Sequence, residues 1–229
     1  FAANLTPLPR RPAAAPLGTA LPMSAHQPYS MTAFDPRLLG IRVLDPEVVL
    51  KLTGERPAGL PPAQVADLEK GIKRFHGYSR NGWFCALVER LAGAAGIDGL
   101  GFLFETPDER KFSCPDRAYP DVDPDEYDPA VWYTLLEPDA CAAAADAVGA
   151  LMTWCWRNQQ EAADLIECHP ESVRPAVARA HTLQWWSEVG DPEEVDERYL
   201  FCVLATARDL LNCAASRRWL FLFEQEEVH

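Results

Sequence analysis

Apolar positions recur along the chain at helical spacing. Between Pro61 and His76, Val65, Leu68, Ile72 and Phe75 fall at three- and four-residue steps, with Lys70, Lys73 and Arg74 elsewhere on the wheel and Gly77 as the stop, which predicts an amphipathic helix. Residues 82–94 repeat the pattern through Trp83, Phe84, Leu87, Val88 and Leu91, and residues 138–160 through Cys141, Ala145, Val148, Met152, Cys155 and Trp156. The segment 192–216 differs. Beside its stripe of Val195, Tyr199, Cys202, Thr206 and Leu210 it carries Phe201, Leu204 and Leu211 on other faces, so an apolar middle predicts a central buried helix. Residues 171–188 read as a further helix that Pro175 delays or kinks.

Helix starts carry a common mark, a polar or acidic residue followed by Pro and an acid, in Asp45-Pro46-Glu47, Glu137-Pro138-Asp139, His169-Pro170-Glu171 and Asp191-Pro192-Glu193. Proline suits the first helical position, whose N–H has no intrahelical acceptor, and a carboxylate there faces the positive end of the helix dipole. Short aromatic and branched runs predict strands at Ile41–Leu44, Leu100–Phe104, Val131–Leu136 and Trp219–Phe223. The expected fold is α+β, with about six helices packed on a small sheet of about four short strands.

Composition divides the chain. Residues 1–34 are rich in Pro and Ala, contain no acid, and carry only Arg10 and Arg11 as formal charges, so they read as a tail that is disordered or not native, with 35–229 as a single domain. Because the first residue is Phe1, Met23 and Met31 are candidate starts. Prolines interrupt any signal-peptide core in the tail, and no run reaches the roughly 18 apolar residues of a membrane span. Seven cysteines, an odd number in a chain of 229 residues, do not form the framework of a small secreted scaffold, and point to a reducing cytoplasm.

From Asp35 onward nineteen basic residues face thirty-four acidic ones, a balance of −15 against −13 for the whole chain. That field disfavours nucleic acid and anionic membranes, which need positive charge at their contacts, and favours a basic protein partner. The acids concentrate in residues 105–130, a stretch with five prolines that reads as a long excursion from the sheet. There Asp121, Asp123, Asp125, Glu126 and Asp128 form a candidate partner-binding surface. Asp121, Asp123 and Asp125 copy the first ligand positions of a calcium loop, but Glu126 stands where the turn needs Gly and Trp132 where the bidentate Glu belongs.

No paired Cys-x-x-Cys announces zinc, no Gly-x-Ser-x-Gly elbow announces a nucleophile, and no Gly-rich phosphate loop is present, so the sequence assigns no catalytic residue, no metal and no cofactor. The cysteines read as small buried hydrophobes. Residues 76–82, His76-Gly77-Tyr78-Ser79-Arg80-Asn81-Gly82, read as a polar loop leading into a helix, where His76, Tyr78, Ser79 and Arg80 are candidate ligand-binding residues. Trp185 and Trp186 read as helix-packing residues, or as a partner anchor where exposed.

The second half has a distinctive order. A strand ends in Tyr133-Thr134-Leu135-Leu136, Glu137-Pro138-Asp139 opens an alanine-rich helix, Tyr199-Leu200-Phe201 lies within a long helix, and Trp219-Leu220-Phe221-Leu222-Phe223 forms a last strand. Over about residues 131–224 this layout resembles that of the YfbM-like family of small bacterial proteins. The resemblance implies a bacterial α+β protein and brings no catalytic residue with it. Some similar small acidic bacterial proteins serve as immunity partners of toxins, an analogy of kind rather than of site. The expected function is therefore a non-enzymatic acidic binding protein, immunity- or antitoxin-like, that occludes a basic partner. The alternatives are a small-molecule enzyme or ligand-binding protein using a pocket near residues 76–82, and a structural oligomer subunit.

Overall fold

His26–Phe34, which composition places in the tail, forms strand β1 inside the sheet, and this corrects the boundary drawn at residue 34. Tyr29, Met31 and Ala33 alternate with Ser30, Thr32 and Phe34, and all six are buried, so the two-residue period of the strand packs both of its faces. The stretch escapes a sequence reading because Thr32 is its only β-branched residue. The computed structural model of the chain describes residues 26–80, 83–105, 110–113, 130–181 and 197–226.

The other strands are β2 (Lys73–Arg80), β3 (Lys111–Ser113), β4 (Ala130–Leu136) and β5 (Leu220–Glu226). They assemble in the order β2-β1-β5-β4-β3, with every neighbouring pair antiparallel. The helices are α1 (Pro46–Thr53), α2 (Pro62–Glu69), α3 (Trp83–Ala95), α4 (Pro138–Arg157), α5 (Gln159–Ile166), α6 (Pro170–Ala180) and α7 (Glu197–Arg217). The class is α+β. Among the described residues none of these helices is long and apolar enough to cross a membrane.

Three sequence expectations are corrected by local packing. Ile41–Leu44 is not a strand: it turns after Gly40, whose φ of +73° suits a residue without Cβ, and Leu44 packs into the core without a sheet partner. Leu100–Phe104 is a 3-10 turn, Gly101–Leu103, entered through Gly99 at φ +87°. The helix expected from Pro61 to His76 ends at Glu69. At Gly71 the backbone passes so close to Trp219 that a Cβ would lie 2.9 Å from Cη2, and the chain turns there into β2. The polar loop expected at 76–82 is accordingly a strand as far as Arg80.

The sheet has two covered faces. Tyr29, Met31, Ala33, Phe75, Phe221 and Phe223 point into a large core shared with α3 to α7. Phe34, Val131, Tyr133, Leu220 and Leu222 point the other way, against Leu38, Val48, Val49 and Val65 from the α1–α2 side. Helix α7 runs through the middle of the large core with Tyr199 to Ala207 buried without a break, as its all-round apolar sequence predicts. It packs on α4, whose inner stripe Cys141, Ala144, Ala145, Val148, Leu151, Met152 and Cys155 is narrow enough for close approach. Helix α6 starts at Pro170 and continues through Pro175, so the proline does not delay it.

At the centre of the large core Tyr29 and Tyr199 share a hydroxyl–hydroxyl hydrogen bond of 2.6 Å, and the Tyr29 ring stacks on Phe84 at 5.3 Å. Burial holds the Tyr29 phenol well above its ordinary pKa, with Tyr199 adding to the effect. Tyr199→Phe leaves the Tyr29 hydroxyl buried without this partner and should destabilise the chain by about 1–2 kcal/mol, read as a lower urea midpoint at unchanged slope. An unaltered midpoint would show that the bond contributes nothing net.

Candidate functional site

Antiparallel register places polar side chains from four strands in one row on the face opposite the large core. His76 of β2 stands across from Ser30 of β1, Ser30 across from Glu224 of β5, and Glu224 across from Tyr133 of β4. Ser30 Oγ donates to Glu224 Oε2 at 2.6 Å, and both residues are almost wholly enclosed, at 7% and 6% exposure. In the next row Arg74 Nε donates to Thr32 Oγ1 at 3.1 Å, after which the face turns apolar through Leu222, Leu220 and Phe34. The charged end therefore lies beside an apolar end covered from the α1–α2 side.

A carboxylate in such a place is an acceptor that is expensive to leave without hydrogen bonds, and the Ser30 hydroxyl is one of the groups that satisfy it. Carboxylate, hydroxyl, phenol and an exposed imidazole thus stand side by side along four strands. Of these residues the sequence singles out only His76. Ser30, Tyr133 and Glu224 join it through strand register, which no local spacing reveals.

The other sequence candidates distribute as follows. Tyr78, Ser79 and Arg80 belong to β2 by backbone, paired with Pro28, Gln27 and His26. Asn81 and Gly82, the carboxylates Asp121, Asp123, Asp125, Glu126 and Asp128, and Trp185 with Trp186 lie outside the described residues. Among the described residues no three His, Cys, Asp or Glu side chains gather as a metal-holding group.

Six cysteines lie within the described residues, all as free thiols. Cys85, Cys141, Cys155 and Cys202 are buried, in line with the reading of cysteine as a small hydrophobe, whereas Cys168 and Cys213 are half-buried. Desolvation pushes the Cys85 and Cys155 thiols up to about 12 and Cys141 to about 11. Cys85 also donates to Gln225 Oε1 at 3.3 Å. The thiolate is the reactive form, so these three should resist a thiol reagent at pH 8 and react only as the protein unfolds, after Cys168 and Cys213. Site-resolved labelling by mass spectrometry checks the order, and early modification of Cys85 would contradict it.

No family model, no curated protein and no solved structure matches the chain.

Proposed function

We propose that the chain is a non-enzymatic binding protein of the cytoplasm that presents carboxylates to a basic protein partner, in the manner of an immunity protein. The observation that carries this reading is the state of the acidic surface. Among the described residues Glu89, Asp98, Asp146, Glu161, Glu167 and Glu171 are exposed and form no ion pair with one another or with a described cation, in a chain whose net charge is −13. A carboxylate surface of this kind accelerates encounter with a basic cleft and makes the rate salt-dependent. The free thiols are compatible with a reducing compartment. The resemblance to the YfbM-like family adds a bacterial setting.

The test is affinity capture from cell lysate with the full chain at low and physiological salt. A stoichiometric partner of high pI should be recovered at low salt and released at higher salt. Reversing Asp121, Asp123, Asp125 and Asp128 to Lys should then slow its association about tenfold and flatten the salt dependence. An unchanged rate removes that segment as the docking face, and failure to recover a basic partner at either salt removes the reading.

A second reading, a small-molecule enzyme or ligand-binding protein, is favoured by the enclosed Glu224 carboxylate in register with Ser30, His76 and Tyr133. It moves the candidate ligand site from a loop at 76–82 to the sheet face. Under this reading a metabolite screen yields a ligand whose melting shift survives in Glu89→Gln and disappears in Glu224→Gln.

A further inference from the structure

An open groove of about 510 Å³ separates α4 from α6, with Met152, Trp156 and Arg157 on one side and Val177 and His181 on the other. Met152 and Val177 are almost wholly buried and form an apolar floor. Trp156 stands above it at 40% exposure, the one large hydrophobic side chain exposed among the described residues. Its ring is held in place. Arg174 lies over it at 5.6 Å and donates from Nε to the Trp156 carbonyl at 3.1 Å. A ring fixed in this way loses little rotamer entropy when a partner covers it, which is the property of a binding anchor.

Arginines stand at the rim. Arg157 lines the groove, Arg174 caps the indole, and Arg208, ion-paired with Asp209 at 3.1 Å, contacts His181 Nδ1 through Nη1 at 3.1 Å. Arginine has only donors, so Nδ1 is the acceptor and the neutral His181 ring carries its proton on Nε2, available to a further acceptor. Arg157 and Arg174 thus bring positive charge to an apolar floor on a chain of net charge −13. A second copy of the chain would bring another −13 charges to the contact, and its overall field opposes that approach.

We propose that this groove is a docking site for an acidic amphipathic segment of a partner protein, with an apolar anchor seated between Trp156 and Val177 and neighbouring carboxylates meeting Arg157, Arg174 and His181. The groove takes an acidic ligand where the proposed function calls for a basic partner, so the peptide selection and the lysate capture can fail independently.

The experiment selects a displayed library of random peptides of about 16 residues on the immobilised full chain. Enriched peptides should combine Leu, Phe or Trp with Asp or Glu and weaken with salt. They should bind Trp156→Ala at least about tenfold, and Arg157→Glu about fivefold, more weakly than the parent. Both positions are exposed, and matching melting curves establish that the variants are folded. Three outcomes overturn the proposal: no enrichment, a yield of only basic peptides, or acidic peptides indifferent to both substitutions. Concentration-dependent dimerisation that Trp156→Ala abolishes, read by sedimentation, overturns it in favour of a second copy.

Discussion

Removing every residue before Met31 should abolish or nearly abolish cooperative folding. The deletion takes His26 to Ser30 out of β1, and with them the pairings to Arg80, Ser79, Tyr78, Gly77 and His76 of β2. It also removes Tyr29, a buried ring in contact with Phe75, Phe84 and Phe223, and emptying an aromatic site of this kind costs about 3–5 kcal/mol. Ser30 leaves as well, so Glu224 loses a 2.6 Å hydrogen bond inside the sheet, a further ~1–3 kcal/mol. Domain stabilities are about 5–15 kcal/mol in total, so little is left. Urea titration followed by far-UV circular dichroism should show a midpoint lower by at least about 2 M, or no sigmoidal transition. A chain starting at Met23 keeps β1 whole and is the control. Equal midpoints for the two would mean that β1 contributes little, against everything its burial implies.

The second large effect is expected from one methyl group. A Cβ at Gly77 would overlap the Cζ and hydroxyl of Tyr29. The ring has no retreat, being stacked on Phe84 and bonded through its hydroxyl to Tyr199. Relief must come from β2, the edge strand, moving away from β1 and weakening the ladder between them. Gly77→Ala should therefore cost about 3 kcal/mol, the upper range for overpacking a core. In a Tyr29→Ala background the same substitution should cost less than about 1 kcal/mol, because the obstructing ring is gone. If the cost is equal in both backgrounds, the contact with Tyr29 is not its cause.

These two positions also mark where a sequence reading stops. Helix starts are local events, and Pro46, Pro138 and Pro170 each open a helix as the proline rule requires. Strands β4 and β5 are legible because aromatic and branched residues cluster in them. Strand β1 has no such cluster, and its burial is imposed by neighbours far away in sequence. The helical spacing of Val65 and Leu68 holds within α2, but its continuation to Ile72 and Phe75 is coincidental: Gly71 must pass under Trp219, and after that turn Phe75 and Gly77 of β2 face the core at strand period. The candidate site fails to read for the same reason. His76 is conspicuous in a polar run, whereas Ser30, Tyr133 and Glu224 gain meaning only once four strands are in register.

The strand order has a consequence for biosynthesis. Strands β1 and β5 lie side by side in the middle of the sheet, and Ser30 and Glu224, 194 positions apart, are neighbours there. Until Leu220–Glu226 leaves the ribosome the sheet exists only as two halves, β2-β1 and β4-β3, each with an open edge towards the missing strand. Such edges template unwanted pairing, and contacts this distant in sequence form slowly. A nascent chain stalled before Leu220 would display both edges to the chaperones and proteases that survey translation. The ladders that join the two halves are then the last of the sheet to be made, only once β5 is free of the ribosome.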